Sequence, residues 1–228
     1  MGKLGPLTCQ HRHTIDDHPR CFIKEGKYIL PKQLVLGDKP LQWYHKENAK
    51  IGFLDIETSD LKADAGWMVT WALKERGKKE VVVDAITHKD VMNRTFDKEL
   101  LARLLEEMKQ YDVIVTYFGS VFDLPFILTR GKYWKLPYFH REELHQIDMF
   151  FQLRGKLATS RKSLKVITQF FDIAGKTNLD FKYWKLASIG LEPELSELKE
   201  HNRQDILILE KLFDEFEDYC KFTKRSII

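Results

Sequence analysis

Two acidic residues end an apolar stretch of the chain. The segment IGFLDIETSD at 51–60 carries Asp55 and Glu57 on either side of Ile56. Successive side chains of a β-strand face opposite sides, so both carboxylates would point the same way while Ile56 packs into the core. Adjacent anions repel each other unless a cation lies between them. Carboxylate oxygens suit Mg²⁺ or Mn²⁺, and the alternative is a strand end at which both acids are solvated.

Further candidate ligands follow later in the chain. Asp123, in TYFGSVFDLPFI, comes after a second strand-like run, and taken alone it favours a helix N-cap over a metal ligand. His201 and Asp205, in KEHNRQDILILEKL, are four residues apart and therefore share one helix face. Asp205 borders the apolar stripe of that helix, where an unpaired carboxylate would be costly. His201 taken alone favours a surface histidine.

The elements that must position these residues are visible as periodic patterns. Alternating or continuous apolar runs predict strands at 50–57, 66–75, 79–87 and 111–118. Helical spacing predicts helices at 96–110, from Asp123 to a stop at Gly131, from Ser160 or Ser163 to 173, and near the C-terminus. The segment 145–153 predicts a short strand that leads into a helix. This order indicates an α/β fold in which helices cover both faces of a mixed sheet.

Composition narrows the class of protein. The 228 residues fit one α/β domain with a small appendage, and 43% of them are hydrophobic, enough for a core. A balance of 37 basic against 34 acidic residues excludes a histone-like polycation, so any nucleic-acid contact requires local clustering of positive charge. The sequence has three cysteines, no apolar run of membrane-spanning length and no signal-peptide pattern at its N-terminus. We therefore expect a cytoplasmic protein with no membrane partner.

A cluster of cations and a group of aromatic residues could bind nucleic acid. The aromatic residues Tyr117, Phe118 and Phe122 flank Asp123 and could stack a terminal base, and core packing is the alternative. The segment RGKLATSRKSLK could follow a phosphate backbone, and a solvated start of a helix is the alternative. Its cationic residues are Arg154, Lys156, Arg161, Lys162 and Lys165.

The N-terminal residues 1–48 differ in character from the rest of the chain. The segment CQHRHTIDDHPRC predicts a structural zinc site, because five cysteine and histidine residues that could bind zinc fall within a short span. Spacing favours the pairs Cys9 with His13 and His18 with Cys21, and His11 could replace His13. Zinc would stabilise a segment too small to build its own core. The alternative is a polar arm without metal.

Taken in order, the motifs resemble those of the DEDD superfamily of 3′–5′ exonucleases, which have the RNase H-like fold. The likeness is closest to the exonuclease domain of family B DNA polymerases and to related stand-alone domains, and it covers about residues 50–220. VIVTYFGSVFDLPFIL resembles the second exonuclease motif, and IDMFFQLRGKLATSRKSLKVITQFF resembles the segment that follows it. The resemblance implies a five-stranded mixed sheet within a domain spanning 49–222.

The resemblance also implies a mechanism. Asp55, Glu57, Asp123 and Asp205 would hold two Mg²⁺ or Mn²⁺ ions, with Asp55 as the bridging ligand, and His201 would orient the attacking water or accept its proton. The substrate would be a single-stranded 3′ end of DNA, and a replication or repair protein could be a partner. An RNase H-like nuclease acting on RNA or RNA–DNA hybrid, and a nucleic-acid-binding subunit without catalysis, are the alternatives.

Two positions depart from the pattern of the superfamily. His201 has the residue type of one branch, whereas its spacing to Asp205 is that of the branch with tyrosine at this place. Phe118 stands where the second motif often has asparagine. The second departure leaves open how the substrate strand would be held near Asp123.

Overall fold

A mixed β-sheet is the centre of the fold. The structure is a computed structural model, and it describes residues 14–16, 22–25, 28–31, 49–139, 144–173 and 180–220. Within these ranges the sheet has five strands, which are β3 (Ile51–Thr58), β4 (Met68–Glu75), β5 (Val82–Ala85), β6 (Val113–Thr116) and β7 (His145–Asp148). Their order across the sheet is β5-β4-β3-β6-β7. The prediction of a five-stranded mixed sheet with flanking helices is confirmed.

The pairing of the strands determines which side chains can meet. β3 pairs in parallel with β6, and β6 pairs in parallel with β7, whereas β4 is antiparallel to both β3 and β5. The carboxyl ends of β3, β6 and β7 therefore lie at one edge of the sheet. Asp55 and Glu57 near the end of β3, and Asp148 at the end of β7, all lie at that edge.

Helices connect and cover the strands. They are α1 (His88–Met92), α2 (Lys98–Met108), α3 (Asp123–Tyr133), α4 (Met149–Leu153), α5 (Leu164–Phe170), α6 (Phe181–Ala187) and α7 (Glu194–Phe216). A single 3₁₀ turn (Glu217–Tyr219) follows α7. Within the described ranges, none of the helices is both long and apolar enough to cross a membrane.

The sheet separates two hydrophobic layers. Leu54 and Ile56 face one layer, together with the buried leucines of α2. Phe53 faces the other layer, where Leu209 and Phe213 of α7 pack. Because successive side chains of β3 point to opposite faces of the sheet, Asp55 and Glu57 lie on the same face as Phe53. This is the face that α7 covers.

Several predicted boundaries differ from the structure. Asp123 is the first residue of α3 and Phe122 occupies the N-cap position, so the prediction of Asp123 as N-cap is wrong. The physical reason is that the Asp123 carboxylate accepts a hydrogen bond from the Ile56 amide of β3. Gly131 does not stop α3, which continues to Tyr133. The prediction of Ser163 as a helix start is confirmed, since its hydroxyl caps α5.

The N-terminal region is described only in part. β1 (Phe22–Glu25) and β2 (Tyr28–Pro31) form an antiparallel hairpin. The predicted zinc ligands Cys9, His13, His18 and Cys21, and the alternative ligand His11, all lie outside the described residues. The zinc site and the division of the chain at residue 48 remain predictions.

A buried ion pair fixes the start of α2 to α3. Asp97, which is fully buried, accepts from Arg130 Nε at 2.8 Å and from Arg130 Nη2 at 2.6 Å. The same carboxylate accepts from the Trp134 indole at 2.8 Å and from the Met68 amide at 3.0 Å. This one side chain therefore connects three elements.

We predict that Asp97→Ala lowers the free energy of unfolding by about 3–5 kcal/mol, because it leaves the Arg130 guanidinium buried without its counter-charge. Urea denaturation followed by circular dichroism measures the effect. Asp84→Ala is the matched control, since Asp84 pairs with Arg103 at the surface and exposed pairs contribute about 0–1 kcal/mol. Equal losses in the two variants would contradict the prediction.

Candidate active site

The acids of β3 and the polar residues of α7 lie together. His201 Nε2 is 3.8 Å from Glu57 Oε1 and 3.9 Å from Asp205 Oδ2. One ligand atom from each of these three residues lies within 4.8 Å of the others. His201 and Asp205 are both buried, and Glu57 is half-buried. The i, i+4 spacing on α7 therefore aims both of its side chains at the end of β3.

Asp123 approaches the same strand end from α3. Its Oδ1 accepts a hydrogen bond from the amide of Ile56, the residue between Asp55 and Glu57, at 3.2 Å. Burial raises the pKa of the Asp123 carboxyl to about 7, and the nearby charge of Asp148 also raises it, although hydrogen bonds from two backbone amides act in the opposite direction. A buried carboxyl with this pKa is stable in its ionised form only when a cation or further hydrogen-bond donors replace the water molecules that burial removes.

Asp55 is held by an amide that the sequence analysis did not single out. Asn202 Nδ2 donates to Asp55 Oδ2 at 2.6 Å. The Thr70 hydroxyl of β4 donates to Asn202 Oδ1 at 3.3 Å. Both Asn202 and Thr70 are fully buried. The sequence pattern does not indicate Asn202, because its partners in β3 and β4 are distant in the chain.

Glu57 is held in a similar way by Trp184 of α6. The indole Nε1 donates to Glu57 Oε2 at 3.2 Å. The Trp184 ring also meets the His201 ring edge to face, with centroids 5.5 Å apart and an interplanar angle of 80°. One side chain therefore orients both an acid and the histidine. The sequence does not indicate this role of Trp184, because nothing in the pattern of 181–187 relates this short helix to β3.

The predicted nucleic-acid-binding residues are distributed around this edge. Phe118 is partly exposed, whereas Tyr117 is half-buried and its hydroxyl donates to the backbone carbonyl of Lys162. Phe122 is half-buried and packs against the hydrophobic layer of α2 and α3. The Lys162 ammonium donates to the carbonyls of the 157–159 loop.

The other four cations differ in exposure. Arg154, Lys156 and Arg161 are exposed, and Lys165 is half-buried. Of the five predicted cations, these three exposed ones present the most charge to a ligand in solution.

Comparison with known proteins identifies the family. A family model of the RNase H superfamily matches residues 52–217, which is most of the chain. This chain belongs to the RNase H superfamily. The matched range contains the five residues that the sequence assigns to catalysis, Asp55, Glu57, Asp123, His201 and Asp205.

Two relatives connect this superfamily member to DNA polymerases. A DNA polymerase of Methanocaldococcus jannaschii is 35% identical to it over an alignment 141 positions long, which covers 54% of this chain and 8% of the polymerase. The solved family B DNA polymerase of the archaeon Pyrobaculum calidifontis shares the fold, with a TM-score of 0.61 at 15% identity over 74% of this chain. The chain corresponds to only 24% of that solved polymerase. The predicted resemblance is confirmed at the level of the family and the fold.

The donor set of this RNase H superfamily protein fits a divalent cation. Carboxylate oxygens of Glu57 and Asp205 and a nitrogen of His201 converge, and the Asp123 carboxyl is buried at the same strand end. Oxygen-rich sets suit Mg²⁺ and Mn²⁺, and Mn²⁺ also accepts imidazole nitrogen. Asp55 and Asp123 lie outside the group whose ligand atoms are within 4.8 Å of one another. Both are nevertheless linked to this strand end, by the bonds from Asn202 and from the Ile56 amide.

The raised pKa of Asp123 predicts a pH-dependent stability in chelator-treated protein. The carboxyl binds its proton more tightly in the folded state than in the unfolded state, so its contribution to stability falls as pH rises from about 4 to about 7. Thermal melts in EDTA between pH 4 and pH 8 measure this decline. Asp123→Asn should flatten it, and Asp64→Asn at an exposed position should leave it unchanged. Identical profiles for Asp123→Asn and the parent would refute the assignment.

Trp184→Phe should weaken Mn²⁺ binding about 10-fold, because residues that orient metal ligands typically contribute at least this much to affinity. Phenylalanine keeps a ring beside His201 and removes only the N–H donor to Glu57. Isothermal titration with Mn²⁺ alone gives the dissociation constant. Trp67→Phe is the matched control, since it loses an indole hydrogen bond of 2.8 Å to the Ser188 carbonyl. An unchanged constant for Trp184→Phe would show that Glu57 does not need this donor.

Proposed function

We propose that the protein is a metal-dependent nuclease that hydrolyses phosphodiester bonds of DNA from a 3′ end. The convergence of Glu57, His201 and Asp205 within 4.8 Å carries the proposal. Membership of the RNase H superfamily supports it. The relation to DNA polymerases supports DNA as the substrate in preference to RNA or RNA–DNA hybrid.

The carboxylates of Asp55, Glu57, Asp123 and Asp205 are proposed to bind two Mg²⁺ or Mn²⁺ ions. When bound, such ions activate a water molecule and stabilise charge on the phosphate and on the leaving 3′ oxygen. Asn202 and Trp184 each occupy one carboxylate oxygen, on Asp55 and Glu57 respectively. These two bonds fix the direction of both carboxyl groups, and Asp55 would contribute ligand oxygen to the ions.

His201 is proposed to position the attacking water and to accept its proton. Its Nε2 faces Glu57 and Asp205 at distances too long for direct hydrogen bonds but suited to an intervening group. The ring orientation is set by packing against Trp184. His201 can therefore deliver a proton acceptor to the place where the acids converge.

The exposed cations Arg154, Lys156 and Arg161 are proposed to bind the phosphate backbone of the incoming strand. All three follow β7 and lie on or after α4, which begins at the same sheet edge as the acids. Lys162 and Lys165 belong to the same segment and would add to the local positive potential. Tyr117 and Phe122 are proposed to shape the site from beneath, since both are half-buried.

Asp55→Ala should remove nuclease activity while the chain stays folded. The assay uses single-stranded DNA, duplex DNA, RNA and hybrid, each labelled at the 5′ end, with Mg²⁺, Mn²⁺ or EDTA. A ladder of shortened products would establish 3′–5′ polarity, and the four substrates would show the preference. Asp60→Ala is the control, because Asp60 is an exposed acid just beyond the same strand. Degradation by Asp55→Ala at the parental rate would refute the proposal.

His201→Ala should reduce the rate roughly 10²–10⁴-fold, the usual range for loss of a general base. Single-turnover kinetics with excess protein separate this chemical step from substrate binding. The affinity for the strand in EDTA should change little, because no phosphate contact is assigned to His201. An undiminished rate would show that His201 takes no part in the reaction.

A further inference from the structure

Three phenylalanines and one arginine form a contiguous surface at the edge of the sheet that carries the acids. We call this group, Phe118, Phe150, Phe151 and Arg154, the aromatic platform. The Phe118 ring lies nearly parallel to that of Phe151, with an interplanar angle of 14° and centroids 6.2 Å apart. Phe150 contacts both rings edge to face, at 4.8 Å and 5.1 Å. The Arg154 guanidinium lies 4.6 Å above the Phe151 ring.

The backbone of Phe118 is strained. Its φ of 68° lies in the left-handed region, which a bulky side chain seldom adopts. Such a conformation persists only where surrounding contacts impose it, and it is frequent at ligand-binding sites. The strained backbone at Phe118 therefore supports a binding role for this residue.

Asp148 imposes that conformation. Its carboxylate accepts from the Phe118 amide at 2.8 Å, from the Ser120 amide at 2.9 Å and from the Ser120 hydroxyl at 2.6 Å. It also accepts from the Phe150 amide at 3.0 Å, so one buried acid connects the turn at 118–120 to α4. The same contact network thus sets both sides of the aromatic platform.

The residues of the aromatic platform differ in how far they are exposed to solvent. Phe118 is 39% exposed, whereas Phe150 and Phe151 are half-buried beneath and beside it. Arg154 is exposed. By contrast, Tyr117 and Phe122 are committed to internal contacts with Lys162 and with Phe126. Of the three aromatic residues predicted to stack a base, Phe118 is the one with an open ring.

We propose that the aromatic platform stacks an unpaired base of the substrate strand on Phe118, while Arg154 binds an adjacent phosphate. This proposal rests on the proposed nuclease function and names how the strand is held. An aromatic face next to a guanidinium matches the two chemistries of a single strand, which are planar bases and anionic phosphates. The position also fits, because Phe118 precedes Asp123 on one short turn and α4 begins directly after β7.

The test measures strand binding without cleavage. Single-stranded oligonucleotides of DNA and RNA carry 2-aminopurine at one of the first four positions from the 3′ end, and the full chain is titrated in EDTA. Stacking on Phe118 takes one probe base away from its neighbouring bases, so the fluorescence should rise at one position and not at all four. Phe118→Leu keeps an apolar side chain without a π face, and it should raise the dissociation constant roughly 5–100-fold and remove that rise.

Two further variants separate the roles of ring and charge, and a third variant is the control. Phe118→Asn places a residue that tolerates the left-handed region, so it should melt at a temperature close to that of the parent and still bind weakly. Arg154→Gln should reduce the dependence of binding on salt by about one phosphate contact. Tyr133→Leu removes an exposed aromatic residue at the far end of α3, about 15 Å along the helix axis from Asp123, and should bind like the parent.

The outcomes distinguish the two proposals. Binding by Phe118→Leu and Phe118→Asn at parental affinity, with cleavage by the parent protein intact, would overturn the aromatic platform and leave the nuclease proposal standing. Weakened binding by both variants, in a parent that never cleaves, would support the aromatic platform and overturn the nuclease. A parent protein that binds none of the oligonucleotides would overturn both.

Discussion

The concentration of carboxylates at the end of β3 is the constraint on which the rest of the site depends. Asp55, Glu57, Asp123 and Asp205 approach one strand end from three elements, and anions in a poorly hydrated place oppose one another. Three uncharged donors reduce that cost: the Ile56 amide, the Asn202 amide group and the Trp184 indole. They orient the acids without neutralising them, so the arrangement remains one that a divalent cation would stabilise. Burial, together with the nearby charge of Asp148, raises the pKa of the Asp123 carboxyl.

The scaffold holds this arrangement mainly through α7. Its first half carries His201, Asn202 and Asp205, and its second half is attached to β4 by ion pairs. The Lys74 ammonium, almost fully buried, lies 2.6 Å from Glu210, and Arg76 contacts both Asp214 and Glu217. Leu209 and Phe213, on the same half of the helix, belong to the hydrophobic layer of Phe53, and the Phe213 ring contacts the Phe53 ring. Ion pairs and apolar contacts together thus set the position of α7 along the sheet.

Whether a feature could be predicted from the sequence depended on how far apart in the chain its interacting residues are. The strands, α2 and α7 were predictable because local apolar periodicity matches the burial that the fold imposes, and the pairing of His201 with Asp205 follows from helix geometry alone. Gly131 was misleading, because α3 continues through it against Leu105 and Tyr138. Trp184, Asn202 and Asp148 were not predictable, because their partners Glu57, Asp55 and Phe118 are remote in the chain. The strained turn at 118–120 was not predictable either, because it is too short to show a periodic pattern of apolar residues.

The strand that carries the acids does not end in regular pairing. Glu57 pairs with Thr70, but Thr58 pairs with Met68, so Val69 is an additional residue on β4. A bulge of this kind sharpens the local twist of both strands and bends the sheet away from its plane. The Ser59 amide still donates to the Trp67 carbonyl at 2.9 Å, so the two strands remain paired beyond the extra residue. The bulge therefore changes the twist beside Glu57 without separating β3 from β4.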